Sequence, residues 1–538
     1  MRVRFRSFLT LLAFGAWLVP TLAAYAAAPA PEMSAEELAK GKQKYFERCA
    51  GCHGTLRKGA TGPNLLPDKT REMGTDVLSV FINDGTAGGM PAWGPSGTAI
   101  FTDEEVNLMA RYIQQDVAAP PEISLGDMTE TWKLVVPVAD RPKKPAHKRN
   151  WQNFFGVVLR DAGKVAIIDG DTKEKLAELP TGFAVHILRS SESGRYFYVI
   201  GRDGKATMID LWSEKPTIVA EVKPCAEARS IDGSKFKGYE DKLAIVGCYW
   251  PPQFAILDGQ TLEPKKVVST RSMTWDTGEY HPEPRVAAIV ASHYKPEWVL
   301  NVKETGFIWL VDYSDLKNLN ITMLEGERFL HDGGWDATHR YFMAAANMKD
   351  TEVVVDTKLR KVVAKFKVGV KPHPGRGANW VDPKYGPVSS TCHLGEGKLS
   401  VWGSDPEKHK QHAWKVVHTI ALPPGAGSLF VKSHPKSGHV WVDFTLNSDT
   451  AATQTLCVLD KANIDGKPNC FQVTDHGRVV HQEYNKDGNE VWISVWDKGD
   501  KGEIVIYDDK TLKVKTKITG LQTPTGKFNV FNSRNDLY

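Results

Sequence analysis

The chain has 538 residues, 41% hydrophobic and 25% charged, which is ordinary globular composition and excludes a mainly disordered or fibrous protein. The 68 Lys and Arg residues against 64 Asp and Glu leave a formal charge of +4, which gives no electrostatic reason to expect a nucleic-acid partner. Seven cysteines are too few for a scaffold built on disulfides, while 16 Trp and 46 Gly suit a turn-rich β protein.

Arg2, Arg4 and Arg6 precede a twelve-residue apolar run, Phe8 to Val19, and Ala24-Tyr25-Ala26 fits an A-x-A cleavage signal. Residues 1–26 read as an export signal, because twelve residues do not span about 30 Å of hydrocarbon. The sequence predicts a mature periplasmic protein with no membrane anchor.

Residues 29–118 read as a small all-α class I c-type cytochrome domain, with terminal helices over 33–53 and 102–116. Cys49-Ala50-Gly51-Cys52-His53 is a C-x-x-C-H motif: Cys49 and Cys52 are spaced to form thioethers to haem vinyl groups, and His53 is placed as an axial iron ligand. No other histidine occurs before His147, so the candidates for the sixth ligand are Met73, Met90, Met109 and Met128. Met109 lies in a helical pattern capped by Thr102 or Asp103 and reads as core. Met90, in Gly88-Gly89-Met90-Pro91, sits in a non-helical loop that can present a thioether to iron and is favoured. Residues 119–150, with Pro120, Pro121, Pro137, Pro142 and Pro145, read as a linker.

From 151 to 538 a β-rich run ending in Asp recurs, at Asp169, Asp210, Asp258, Asp312, Asp356, Asp405, Asp460 and Asp508. The intervals of 41 to 55 residues are blade-sized, and eight units predict an all-β eight-bladed propeller. The Asp405 run is the poorest match. The first blade begins part-way, and the strand near Lys527 to Phe531 is expected to complete it. Working back from each Asp places inner strands at Val185-His186-Ile187, Ala228-Arg229-Ser230, Pro284-Arg285-Val286, Leu330-His331-Asp332, Gly375-Arg376-Gly377 and Gly477-Arg478-Val479. Each basic residue alone reads as a solvated channel residue. Together, with Arg160 and Arg202 in hairpins, they suit an anionic, metal-containing second cofactor with one His beneath it and others above.

Arg48-Cys49-Ala50-Gly51-Cys52-His53-Gly54, Gly182-Phe183-Ala184-Val185-His186, Tyr280-His281-Pro282-Glu283-Pro284-Arg285, Phe329-Leu330-His331-Asp332-Gly333-Gly334-Trp335, Pro372-His373-Pro374-Gly375-Arg376-Gly377 and Thr523-Pro524-Thr525-Gly526-Lys527 closely resemble the cytochrome cd1 nitrite reductases, and the resemblance runs from residue 33 to the C-terminus. It implies one covalent haem c, one non-covalent haem d1 with its iron, a homodimer, and one-electron reduction of nitrite to nitric oxide and water. It further implies a soluble periplasmic electron donor, a c-type cytochrome or a cupredoxin. Position by position it implies His53 and Met90 as c-haem ligands and His186 as proximal d1 ligand. His331 and His373 become the distal catalytic pair, and Arg160, Arg202, Arg229, Arg376 and Tyr249 become d1-pocket residues. Two other readings compete: a d1-haem maturation dehydrogenase of similar architecture, and a non-catalytic haem-linked propeller. Some family members place a Tyr from an N-terminal arm in a d1 pocket. Here Tyr25 falls in the cleavage signal and Tyr45 in the cytochrome helix. Cys225/Cys248 and Cys457/Cys470 are spaced to join neighbouring strands, but free buried thiols are the simpler expectation.

Overall fold

The computed structural model describes residues 29–86, 89–97 and 99–538; the expected export signal, residues 1–26, and with it Tyr25 lie outside them. The helical domain contains α1 (Ala35–Arg48), α2 (Ala50–His53), α3 (Pro67–Asp84) and α4 (Asp103–Tyr112). Ser34 and Glu37 form a capping box on α1, and Thr102 with Glu105 does the same for α4, satisfying amides the first turn leaves unpaired. The two helices cross closely at Gly41, where a Cβ would lie 2.6 Å from the Tyr112 ring. Tyr45, Leu78, Ile82, Phe101, Val106 and Met109 form the core. The helix α3 was not foreseen. Gly74, at φ +73, interrupts it, and Met73, Val77 and Val80 on its surface blur the apolar stripe.

Residues 119–150 are a strap rather than a free tether. Helix α5 (Leu125–Thr131) buries Met128 completely in the core shared by blades 2 and 3. Lys133–Leu134 pairs with Glu221 and Ala220 on the outer strand of blade 2. Trp132 Nε1 donates to Thr261 O at 2.8 Å, and Arg141 donates to Gln260 O at 2.6 Å, so the strap is bonded to the propeller along its length.

Eight four-stranded antiparallel sheets form the propeller. Blade 1 takes Phe155–Leu159, Lys164–Ile168 and Lys175–Pro180 from its beginning and the inner strand Pro524–Asn529 from near the C-terminus. The register Phe155↔Asn529, Gly156↔Phe528, Val157↔Lys527 closes the ring. Inner strands of blades 2 to 8 are Val185–Ser190, Glu227–Gly233, Val286–Ala291, Leu330–Trp335, Ala378–Asp382, Val431–Ser433 and Arg478–Tyr484. Arg285 therefore precedes its inner strand, and Arg376 stands in a loop before blade 6, not on strands as expected. The recurring Asp ends or follows the third strand of every blade. Its carboxylate accepts backbone amides two or three residues on, as Asp258 does from Gln260 and Thr261 and Asp356 from Lys358 and Leu359. The repeat is thus a turn-forming device for the outer hairpin. Asp405 lies two residues past its strand, Lys398–Gly403, but makes the same turn with Glu407.

Cys225–Cys248 and Cys457–Cys470 are disulfide bonds, correcting the expectation of free thiols. The second joins directly opposed residues of blade 7. Trp492 of blade 8 stacks on Phe155 of blade 1, with ring centroids 3.9 Å apart and planes at 11°, sealing the closure seam. Trp492→Ala should cost about 3–5 kcal/mol, read as a lower propeller transition in calorimetry with the cytochrome transition unmoved.

Candidate active site and haem centres

Cys49 and Cys52 are free cysteines at the α1–α2 junction, one half-buried and one exposed, with His53 one residue further on. The carbonyl of Pro63 lies 2.8 Å from His53 Nδ1 and accepts its proton, which leaves Nε2 available to a metal. Gly62 packs against the ring: a Cβ there would lie 2.7 Å from Cε1. Met90 lies on the wall of a cleft of about 930 Å3 between the helical domain and the propeller, with Thr86, Pro91, Ile100 and Arg48. Met109 and Met128 are fully buried elsewhere and Met73 faces solvent, so Met90 alone of the four candidates borders this cleft. Tyr45 is occupied inside the cytochrome core, donating to Gly54 O at 2.7 Å.

The two domains are joined by buried charges. Glu283 accepts from the amides of Thr55 at 2.6 Å and Leu56 at 2.8 Å, immediately after the haem-binding motif. Burial pushes its carboxyl up to about 6. Arg285, wholly buried, donates to Ala50 O at 2.8 Å and pairs with Glu304 at 2.7 Å. Arg202 belongs here too. It donates to Glu47 O at 3.2 Å and is ion-paired with Glu227. That places it at the junction and not on the wall of the central cavity, contrary to expectation.

The central cavity, about 260 Å3, is walled by Arg160, His186, Arg229, Asp332, His373 and Arg376 among others. His186 comes from blade 2 and His373 from the approach to blade 6, which stand across the ring from each other. His186 is held far below its ordinary range by burial and then by Arg229, Arg160 and Arg202, so it is neutral and can offer a lone pair to a metal. Arg376 spends its guanidinium on Gly333 O at 2.7 Å and Ile289 O at 3.0 Å, tying blades 4 and 5 to the loop before blade 6. Tyr249 lies behind the wall, its ring 5.9 Å from the Arg229 guanidinium and 4.5 Å from that of Arg285.

Opposite His186 the two expected histidines meet, ring centroids 4.8 Å apart. Asp332, which sequence reasoning did not single out, bridges them: Oδ1 lies 2.8 Å from His331 Nδ1 and Oδ2 lies 3.3 Å from His373 Nδ1. Arg229 is 3.4 Å from His331 Nε2. Arginine only donates, so His331 accepts at Nε2 and carries its proton on Nδ1 toward Asp332. Burial pushes the His331 imidazole down to about 3. Burial opposes ionisation of Asp332, but the two imidazoles outweigh it and keep the carboxylate well below its usual range. His373 Nδ1 donates to Leu429 O at 3.0 Å, which frees Nε2.

The floor is the C-terminal tail, also unforeseen. Asp536, Leu537 and Tyr538 line the cavity. Lys235 binds Asp536 at 2.6 Å and Lys432 donates to Leu537 O at 3.0 Å. Of the acids on the wall, Glu483 is paired with Lys432, Asp536 with Lys235 and Asp332 with the histidines. Arg229 has no carboxylate partner among the described residues, and Arg160 is paired only with its neighbour Asp161. A neutral imidazole on one side and guanidiniums on the wall fit a metal macrocycle bearing carboxylates.

Residues 149–533 match the cytochrome D1 heme domain family, and residues 36–113 match the family of cytochrome c oxidase, cbb3-type, subunit III. A nitrite reductase of Stutzerimonas stutzeri is 54% identical over 96% of both chains. A dihydro-heme d1 dehydrogenase of Pseudomonas aeruginosa is 27% identical over 92% of this chain and 94% of its own. The solved structure of a dihydro-heme d1 dehydrogenase superposes with a TM-score of 0.69 at 25% identity, covering 92% of this chain and 99% of that one.

Gly62→Ala should push the His53 ring off its position. The expected outcome is an altered c-haem spectrum and potential with the long-wavelength absorption of the propeller unchanged, read by optical redox titration.

Proposed function

From a chain that belongs to the cytochrome cd1 nitrite reductase family, we propose that it reduces nitrite by one electron, NO2− + 2H+ + e− → NO + H2O, in the periplasm. The observation that carries this reading is the Asp332-bridged pair of histidines facing His186 across the ring. Cys49 and Cys52 would hold haem c by thioethers, with His53 and Met90 as its iron ligands. His186 would hold the iron of haem d1, with Arg160, Arg229 and Arg376 beside its carboxylates. When bound, haem d1 would supply the iron centre and the electron for nitrite, and haem c would supply the relay to it.

The protein's own task is to deliver two protons to an oxygen that leaves as water. His373 is the better placed acid: Leu429 O and Asp332 fix Nδ1–H, so a proton taken up at Nε2 points into the cavity. His331, held neutral by burial, positions Asp332 and accepts from Arg229. An anion entering the pocket favours the protonated imidazoles, so nitrite and protons are taken up together. The ionised Asp332 then stabilises the imidazolium without leaving the pair uncompensated.

The A-x-A leader, the covalent haem motif and two disulfides support an oxidising, extracytoplasmic compartment. No helix among the described residues is long and apolar enough to cross a membrane. A soluble c-type cytochrome or cupredoxin is the proposed donor and a homodimer the proposed assembly. The dehydrogenase reading is weaker, at half the identity of the reductase relative.

His373→Ala should lower nitrite turnover by about 10²–10⁴-fold while the donor still reduces haem c at the wild-type rate, measured by a nitric oxide electrode and stopped flow. Wild-type turnover would refute the acid role. Asp332→Asn removes the charge that favours the imidazolium. Its steady-state nitrite turnover should therefore fall while the donor still reduces haem c at the wild-type rate.

A further inference from the structure

Leu330 pairs with Ala346 and Gly333 with Ala344, so His331 and Asp332 together oppose the single residue Ala345 in a β-bulge. Ala345 pairs in turn with Glu352, and Glu352 with Phe366. Directly opposed residues share a sheet face, so one row runs from the bulge across a methyl group to the Glu352 carboxyl. With strands about 4.8 Å apart, Glu352 starts roughly 10 Å from the bulge, so a proton passing between them needs a bridging water. That face of blade 5 packs on blade 6, where the Phe366 and Trp402 rings are 5.5 Å apart. It is also the side on which the chain runs through Pro372 and His373.

This seam holds three buried polar atoms without protein partners: Glu352 Oε1, Asn347 Oδ1 and His393 Nδ1. Glu352 is 1% exposed and the other two are wholly buried. Asn347 donates to Pro372 O, His393 pairs by backbone with Pro372, and His373 N donates to Cys392 O at 2.9 Å, so two of the three lie against the segment that carries His373. Such atoms require hydrogen-bond partners, which ordered waters ordinarily provide. At the outer end half-buried Asp350 accepts from Lys371 N at 2.9 Å.

We propose that Glu352 is the proton relay of this enzyme, passing protons from the Asp350–Lys371 rim, along the seam between blades 5 and 6, to the His331–Asp332–His373 cluster. The proposal rests on the reading of His373 as the acid. In each transfer the Glu352 O–H bond breaks and an N–H forms by way of water at His373 Nε2, because both Nδ1 atoms already carry protons. The carboxylate then recovers a proton from solvent, and no electron moves. Burial, with Asp332 adding to it, pushes the Glu352 carboxyl up to about 8, so it holds a proton to give at neutral pH and loses it as pH rises through that value. The groups facing it are Asp332, His331 and His373 on the inner side, His393 from blade 6, and Asp350 with Lys371 at the rim.

The test uses the full-length holoenzyme with both haems. Glu352→Gln should slow steady-state nitrite turnover about tenfold, less than loss of the acid itself, and remove the alkaline limb near pH 8. Glu352→Asp and added small weak acids should restore turnover in part. In the infrared, a carboxylic C=O band that titrates near pH 8 should be present in the wild type and absent from Glu352→Gln, a readout independent of turnover. Wild-type rate and pH profile in Glu352→Gln, with His373→Ala inactive, would overturn the relay alone. Full activity of His373→Ala would overturn the reading beneath it. If Glu352→Gln does not take up haem d1, the wild-type infrared titration decides, and absence of a band titrating near pH 8 overturns the relay.

Discussion

Everything in the propeller depends on one strand pairing: Pro524–Asn529 beside Phe155–Leu159. Each blade buries both its faces against neighbours, so an unclosed ring would leave two apolar sheet faces in water. Closure also adds a buried polar tie, Lys527 Nζ donating to His481 O at 2.8 Å and Ser494 Oγ at 3.0 Å. Only a closed ring sets His186 of blade 2 against Asp332 of blade 5 and His373 before blade 6. The site is a property of the circle and of no single blade.

Within that circle the controlling group is the Asp332 carboxylate. Two imidazoles stand 4.8 Å apart and tilted at 43° in a buried wall, and burial disfavours the charged form of His331. A shared anion at 2.8 and 3.3 Å changes this balance. It fixes the Nδ1 protons, directs Nε2 of His373 inward and supplies the countercharge when a second anion draws protons in. The surrounding arginines hold the site basic without competing for the proton, since guanidinium remains charged.

Much of this was legible in the residues. The C-x-x-C-H motif, the eight recurring Asp residues and the terminal strand gave the two-domain architecture, because each is a local signal with a fixed chemical job. His186 and His331 were legible on inner strands because their blade positions follow from the Asp spacing, whereas His373 was legible only through the family resemblance. Arg202 was misplaced because a hairpin arginine looks alike whether it faces a cavity or a neighbouring domain; Glu227 and the Glu47 carbonyl decide that, and both are remote in sequence. The disulfides were misjudged for the same reason: spacing of 23 and 13 residues does not state register. Asp332 stood beside His331 in plain view, but its second bond, to His373, exists only through the fold. The strap and the C-terminal floor carry no motif, since their role is to cover apolar strands and close a channel.

The arrangement separates the supply of electrons from the supply of protons. The cytochrome domain is bonded to hairpins of blades 1 and 2 and to the segment before blade 4, through Arg48–Asp161, Arg202 with Glu47 O, Glu283 with Thr55 and Leu56, and Arg285 with Ala50. The row through Glu352 leaves the site on another bearing, between blades 5 and 6. An electron crosses dry, packed protein, whereas a proton needs an unbroken succession of hydrogen-bonding atoms. A fully apolar seam beside His373 would seal the site well and starve it of protons. A wet interface under the cytochrome would hydrate Arg285 and Glu304 and weaken the contacts that hold the domains in register. The two supplies therefore use different seams of one ring: the Arg202–Glu227 and Arg285–Glu304 pairs stand under the cytochrome, and the Glu352 row reaches the histidines across blade 5.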